Sequence, residues 1–395
     1  MTERLYYTDP ALLSFTATIT AVDKHDGRIV TVLDRSAFYP TSGGQLHDLG
    51  LLNDVPVVEV IESPDGDVWH ISECEVGKPG QEVQGEIEAR RRRNNRCIHT
   101  AQHILSAVFK KLADLDTVSV HLGLEYGAIE FETSEISDEI LSDAERLANE
   151  MIGQNLPIHI LTVDSSKIDD VPLRRPTKRK GKIRVIQIGD LDFAACGGTH
   201  CLSTSEVGLI KIIGAERLRK RALVKYLAGP LALVDYQERF DATDALSRSL
   251  TCHVRDLPER VERLTSENKE LKHELVEVRR AMIPQQVEEL AELVSEAHGQ
   301  RVIVASVSFE MPLMNDLAAA VADKIGGLAV LEQGGRLSLV AAEDSSLHAG
   351  NLAHGLAKET GLKGGGNKRL ANMGGADVSQ LAHYREVLLK LMVSE

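Results

Sequence analysis

Residues 192–201 read DFAACGGTHC. The stretch places Cys196, His200 and Cys201 around the Gly197–Gly198 pair, in a 395-residue chain with only five cysteines. Three readings compete: half of a metal site, a reactive thiol, or a tight turn with cysteines nearby by chance. The metal reading needs a second half-site, because a structural Zn²⁺ takes four ligands. The glycine pair favours it, since a turn without Cβ atoms can fold both side chains towards one point.

A partner half-site lies upstream. In RCIHTAQHILSAVF (96–109), His99 and His103 are four positions apart, and Ile98, Ala101, Leu105, Val108 and Leu112 recur at helical spacing, with Asn94 or Asn95 as cap. Histidines at i and i+4 share a helix face and can hold one ion together. His99, His103, Cys196 and His200 thus offer three imidazoles and a thiolate, a set suited to one Zn²⁺ per chain. Cys97 falls on another helix face, and Cys201 should point away if the turn runs on into a strand. Four protein ligands would make a closed site, whereas catalysis wants an open position. Spacing alone does not say whether all four bind at once.

A third element is FYPTSGGQLHDLG (38–50), where Gly43–Gly44 permits close backbone approach and Thr41, Ser42 and Gln45 offer hydrogen bonds. It is equally readable as a plain loop between strands.

The composition, 43% hydrophobic and 26% charged, is that of a soluble globular protein. No apolar run of about 18 residues appears, so no membrane span is expected. The start lacks a secretion signal, and few, scattered cysteines point to reduced thiols in the cytoplasm. The net charge of −14 speaks against a generic nucleic-acid coat protein. Two basic runs stand out against it, EARRRRNNR (Arg90 to Arg93, with Arg96) and RRPTKRKGKIR (Arg174 to Arg184).

The expected organisation is α+β overall. Residues 1–90 read as short strands of a small β-barrel or sandwich, and 91–245 as an α+β zinc-containing domain. Residues 246–299 form a long helical segment, and 300–395 an α/β glycine-rich domain. Within the helical segment Val261, Leu264, Asn268, Leu271, Leu275, Val278 and Met282 fit alternating a and d positions, Pro258 suits the first turn and Pro284 ends the run. A parallel homodimer would bring Glu267 to Lys272 and Glu274 to Arg279. In the alternative, a monomeric hairpin, Val287, Leu290 and Val294 of a following helix fold back over the seam.

SGGQ, HTAQH and CGGTH, in this order and spacing, resemble the editing domain of alanyl-tRNA synthetase and its free-standing relatives, the AlaX family; the wider group includes the threonyl-tRNA synthetase editing domain. The resemblance covers about residues 1–240. LKGGGNKRLANMGGAD (362–377) resembles the glycine-rich tRNA-binding domain at the end of alanyl-tRNA synthetase, found also on DHH-type phosphoesterases. The whole chain thus resembles the long AlaX form.

The resemblance implies hydrolysis of serine or glycine wrongly esterified to tRNA(Ala), with His99, His103, Cys196 and His200 as zinc ligands. Thr41, Ser42, Gly43, Gly44 and Gln45 would face the aminoacyl group, with Thr41 and Gln45 catalytic and Thr41 close to the substrate's side chain. Leu46 departs from the proline of many relatives, which would loosen this loop. tRNA would be held by Arg174, Arg175, Lys178, Arg179 and Lys180, and by Gly364, Gly365, Gly366, Lys368 and Arg369 beside Lys363. Whether zinc activates water or orients the substrate amine stays open. The rival readings are a phosphoesterase, for which no DHH tripeptide occurs, and a zinc-stabilised tRNA-binding or regulatory module without hydrolase activity. A full synthetase is not expected, since no residues are left for an aminoacylation domain.

Overall fold

A computed structural model describes residues 1–297, 299–309 and 311–393. The chain is mixed α+β and divides into two compact units, Met1–Ala245 and Leu246–Glu395.

The first unit opens with seven antiparallel strands in the order Val55–Val57, Gly50–Leu52, Glu82–Ile87, Ser14–His25, Arg28–Leu33, Val68–Ser72, Glu59–Glu62. The two edge strands are consecutive in the chain, with only Val58 between them, so the sheet is a nearly closed barrel. SFTATIT explains the inner face: Phe15, Ala17 and Ile19 alternate inward and join Leu33, Phe38, Val60 and Val83 in one core.

The helix Ala89–Ala113 follows, starting earlier than the Asn94 or Asn95 cap predicted from sequence. The arginine run is its first turns, and Arg92 is not on a solvated face. Its guanidinium is buried against Asp48, 2.6 Å away, and donates to the carbonyls of Pro10 and Ala37. Such a charge is tolerated inside only because it is paired and fully hydrogen-bonded.

This helix packs into a core with the helix Asp138–Gly153 and the antiparallel sheet Thr117–Leu122, Gly127–Phe131, Arg221–Ala228, Ile210–Leu218. A second antiparallel sheet, Ile158–Asp164, Lys182–Ile188, Asp192–Ala195, ends where the CGGTH turn begins.

The second unit holds the helix Leu257–Ala291 and a six-stranded sheet. The helix does not stop at Pro284. That proline removes a backbone hydrogen bond at a cost of about 3 kcal/mol, but Val287 and Leu290 beyond it are buried among Ile303, Phe309, Leu313 and Met314, which keeps the last turns helical. Val287 and Leu290 therefore do not fold back over the seam, and the hairpin alternative is excluded. Val261, Leu264, Leu271, Leu275, Val278 and Met282 are exposed in the single chain.

The expected α/β character of the C-terminal part needs correcting. Its only parallel strand pair among the described residues is Gln300–Ser306 with Leu328–Gln333, joined through the helix Met311–Ile325. The next strand, Arg336–Ala341, returns through Gly334–Gly335, both at positive φ, which makes a tight antiparallel hairpin.

Candidate metal centre

Two elements carry the quartet. The helix Ala89–Ala113 presents His99 and His103 from one face, and the turn after Asp192–Ala195 presents Cys196 and His200. One ligand atom from each of the four lies within 4.8 Å of all the others. Cys196 Sγ is 3.4 Å from both His99 Nε2 and His200 Nε2. A tetrahedron of three nitrogens and one sulfur, with Zn–N near 2.0–2.1 Å and Zn–S near 2.3 Å, has edges of about 3.3–3.6 Å, which the two Cys196 contacts match, so the donor set suits that ion.

Each imidazole is held from behind. His99 Nδ1 donates to Gln45 Oε1 (2.8 Å), His103 Nδ1 to Asp192 Oδ2 (2.9 Å), and His200 Nδ1 to Thr100 Oγ1 (3.3 Å). All three Nε2 atoms are thereby turned towards one point, as metal-ligating histidines require. Gly198 makes the fit possible: a Cβ there would sit 2.1 Å from His99 Cε1.

Electrostatics agree. Burial opposes charge on His103, but hydrogen bonds to Asp192 and Cys196 outweigh it and lift the imidazole to about 9. Burial also opposes the Cys196 thiolate, yet His99 and His200 pull its thiol well below the usual range. A metal ion competes for the same proton sites.

His99, His103 and Cys196 line a cleft of about 510 Å³, and His200 is fully buried. Ser42, Gly43, Gln102, Thr117, Arg175 and Arg179 also line it. Gln102 Nε2 donates to Ser106 Oγ (2.8 Å), and Thr117 Oγ1 donates to the same oxygen (2.7 Å).

Comparison with known proteins finds several similarities. Residues 183–222 match the family described as the threonyl and alanyl tRNA synthetase second additional domain. The chain is 40% identical over 222 residues to the alanyl-tRNA editing protein AlaX-L of Pyrococcus horikoshii, covering 54% of each. Over about half of its length this chain is similar to an alanyl-tRNA editing protein. It is also 30% identical over 406 residues to the alanine–tRNA ligase of Archaeoglobus fulgidus, covering 98% of this chain and 43% of that one. With the ligase of Acetivibrio thermocellus it shares 29% identity over 93% of this chain and 44% of the relative. The chain thus spans about half the length of the curated relatives it matches. A likeness to RecJ of Thermus thermophilus, TM-score 0.27 and 14% identity over 38% of this chain and 28% of that one, carries no argument.

The residues of the glycine loop differ in where they face. Ser42 and Gly43 reach the cleft. Gly44 lies at φ +86°, against the Val120 carbonyl, where a Cβ would be 2.9 Å away. Gln45 and Thr41 sit differently from the substrate-facing positions expected of them. Gln45 is fully buried, its amide bonded to His99 and Thr199, a placement suited to orienting His99. Thr41 is not on the cleft wall; its hydroxyl is bonded to His47 Nδ1 (2.9 Å). Nor does Leu46 loosen the loop, which is pinned by the reciprocal Ser42–Gln45 backbone bonds and by Asn95 Nδ2 on the Leu46 carbonyl.

Cys97 and Cys201 are not among the four; both are buried, with sulfurs 4.0 Å apart. Of the basic run, Arg174 is bound to Asp192 (2.8 Å) and braces the His103 carboxylate, and Arg175 donates to the Thr117 carbonyl. Lys178, Arg179 and Lys180 are exposed. In the other unit Gly364, Gly365 and Gly366 form an exposed edge strand with Lys363, beside exposed Lys368. Arg369 is paired with Asp323 and Glu343.

Spacing gave no sign of Asp192, Thr100 and Arg184. Arg184, largely buried, donates to the carbonyls of Cys196 (2.8 Å) and Gly198 (2.9 Å) and so shapes the ligand turn. Asp192 stands four residues before Cys196 and Thr100 between the two histidines, but neither position by itself marks a hydrogen-bond partner.

Proposed function

We propose that this chain hydrolyses serine, and glycine, wrongly esterified to tRNA(Ala), acting in trans in the cytoplasm. The observation that carries the proposal is the His99–His103–Cys196–His200 quartet, three members of which line a cleft rimmed by cations, in a chain similar to AlaX-L. Those four residues would hold one Zn²⁺, which when bound supplies positive charge where an ester carbonyl or its neighbouring amine is held.

The chain's own groups do the rest. An aminoacyl ester is already reactive, so positioning and exclusion of bulk water suffice. Ser42 and Gly43 bound the aminoacyl group with little side-chain bulk. Gln102 and Thr117 offer further polar atoms to a serine hydroxyl, a hydrogen bond that alanine cannot make and on which discrimination between the two can rest. Arg175, Lys178, Arg179 and Lys180 take phosphates of the acceptor end, while Gly364–Gly366 and Lys368 contact tRNA further away.

We read the chain as a barrel (1–90), an editing domain (91–245), a helical segment (246–299) and a tRNA-binding domain (300–395), with a second copy pairing along 258–283. No helix among the described residues is long and apolar enough to cross a membrane.

The test is deacylation of seryl-, glycyl- and alanyl-tRNA(Ala) by wild type and Cys196→Ala. Expected are turnover of the first two, sparing of alanyl-tRNA(Ala), and loss of both activity and metal in the variant. A protein that binds tRNA and metal but turns over no ester is a binding module and overturns the reading.

A further inference from the structure

The strands Ile210–Leu218 and Arg221–Ala228 meet in a hairpin whose tip reads Arg217, Leu218, Arg219, Lys220, Arg221. All five are exposed. Arg221 is paired with Glu130 and Lys225 with Glu216, so the nearest strand carboxylates are already engaged. Arg217 makes only a 3.5 Å bond to the Arg219 carbonyl, and Arg219 and Lys220 have no side-chain partner among the described residues. Glu132 is exposed at the same end of the sheet. Three uncommitted cations at one tip are conspicuous in a chain of net charge −14.

Strand register ties this tip to the cleft. Arg217 is opposite Ala222, Ala222 opposite Phe131, and Phe131 opposite Thr117. Three strand spacings of ~4.8 Å put Arg217 roughly 14 Å from Thr117 along one row. Thr117 lines the cleft, and its carbonyl holds Arg175 of the basic loop. The row therefore has the cationic loop 174–180 at one end and the cationic hairpin tip at the other. Its length matches about four phosphates of one strand at ~3.4 Å of duplex axis each.

We infer that the hairpin tip, through Arg217, Arg219 and Lys220, binds the phosphodiester backbone of an RNA whose end enters the cleft. The inference rests on the tRNA reading above. Cations recognise this partner as a polyanion, so the contact gives affinity and orientation but does not read sequence.

The experiment measures binding of uncharged tRNA(Ala) from 50 to 200 mM KCl, together with deacylation kinetics. Wild type is compared with Arg219→Gln/Lys220→Gln and Arg219→Glu/Lys220→Glu. Metal content and the fluorescence of Trp69, the single tryptophan, check that the variants fold. Each lost phosphate contact removes about 0.7–0.9 from the slope of log K against log salt. The glutamine pair should therefore flatten the slope by about 1.4–1.8, weaken binding on the order of tenfold, and raise KM with kcat unchanged. The glutamate pair should weaken binding further. Wild-type affinity and slope in both variants overturn the inference while leaving the hydrolase reading intact. Hairpin-dependent binding without any deacylation by wild type sinks the hydrolase reading and keeps this one. Salt-independent or absent tRNA binding by wild type overturns both.

Discussion

Gln45 Oε1 lies 2.8 Å from His99 Nδ1 and 3.1 Å from the Thr199 backbone nitrogen. One amide from the barrel thus orients a ligand on the helix and fixes the turn that bears two more ligands. Partners of this kind typically hold a 10–100-fold share of metal affinity. Gln45→Ala should weaken Zn²⁺ binding by about that factor in chelator competition. Undiminished affinity would show that the helix alone positions His99.

Thr41 and Gly44 should behave oppositely. Thr41→Val loses a bond to His47 outside the cleft, so the seryl-to-glycyl activity ratio should stay within about twofold of wild type, a hydroxyl bond to an exposed group being worth little. Gly44→Ala forces a Cβ to 2.9 Å from the Val120 carbonyl at φ +86°. The strand bearing Val120 lines the cleft, so activity should fall at least tenfold while metal content is kept. A Thr41→Val enzyme with a shifted ratio would return that residue to the substrate's side chain.

Removing Arg92 should unfold the barrel junction. Arg92→Met strands Asp48, which has no exposed surface, without its counter-charge. The expected loss is about 3–5 kcal/mol, read by urea denaturation through Trp69 fluorescence. Pairing it with Asp48→Leu should recover most of that loss. A single variant as stable as wild type would mean the pair is not buried in solution.

His70 predicts how the barrel responds to acid. It is fully buried, accepting from Ser36 at Nε2 (2.7 Å) and donating to the Thr31 carbonyl from Nδ1 (3.0 Å). Burial pushes it from the ordinary 6.5 down to about 4. The unfolded chain then binds the extra proton first, so stability is full above about pH 6.5 and falls as the pH drops towards 4. The loss is on the order of 3 kcal/mol. Unfolding followed through Trp69, the neighbouring residue, should show this slope in wild type and less of it in His70→Gln. Equal slopes would assign the acid sensitivity to other groups.

The seam from Val261 to Met282 is open along the helix Leu257–Ala291. If a second copy covers it, with Asn268 pairing amide to amide, Leu264→Lys/Leu271→Lys should sediment as a monomer where wild type is a dimer at tens of micromolar. A variant that stays dimeric puts the interface elsewhere.

By itself the sequence determined the four residues that cluster as candidate ligands, the barrel strands and the helix that bears the histidines. Each of these is written locally: four-residue spacings set by one helical turn or one glycine turn, and the period-two alternation of SFTATIT. Only the tertiary structure decided what stands behind and around them. Gln45 reads as a substrate-facing loop residue until the barrel docks on the helix 54 positions later, and Asp192, Thr100 and Arg184 acquire roles only when two sheets and a helix converge. Arg92 looks like one of four solvated arginines, because burial of a charge depends on a carboxylate that folding brings from Asp48. Pro284 reads as a stop, because its local cost is visible in sequence and the core that offsets it, around Val287 and Leu290, is not. Hydrogen-bond partners and buried surface are set by contacts distant in the chain, and no local pattern encodes them.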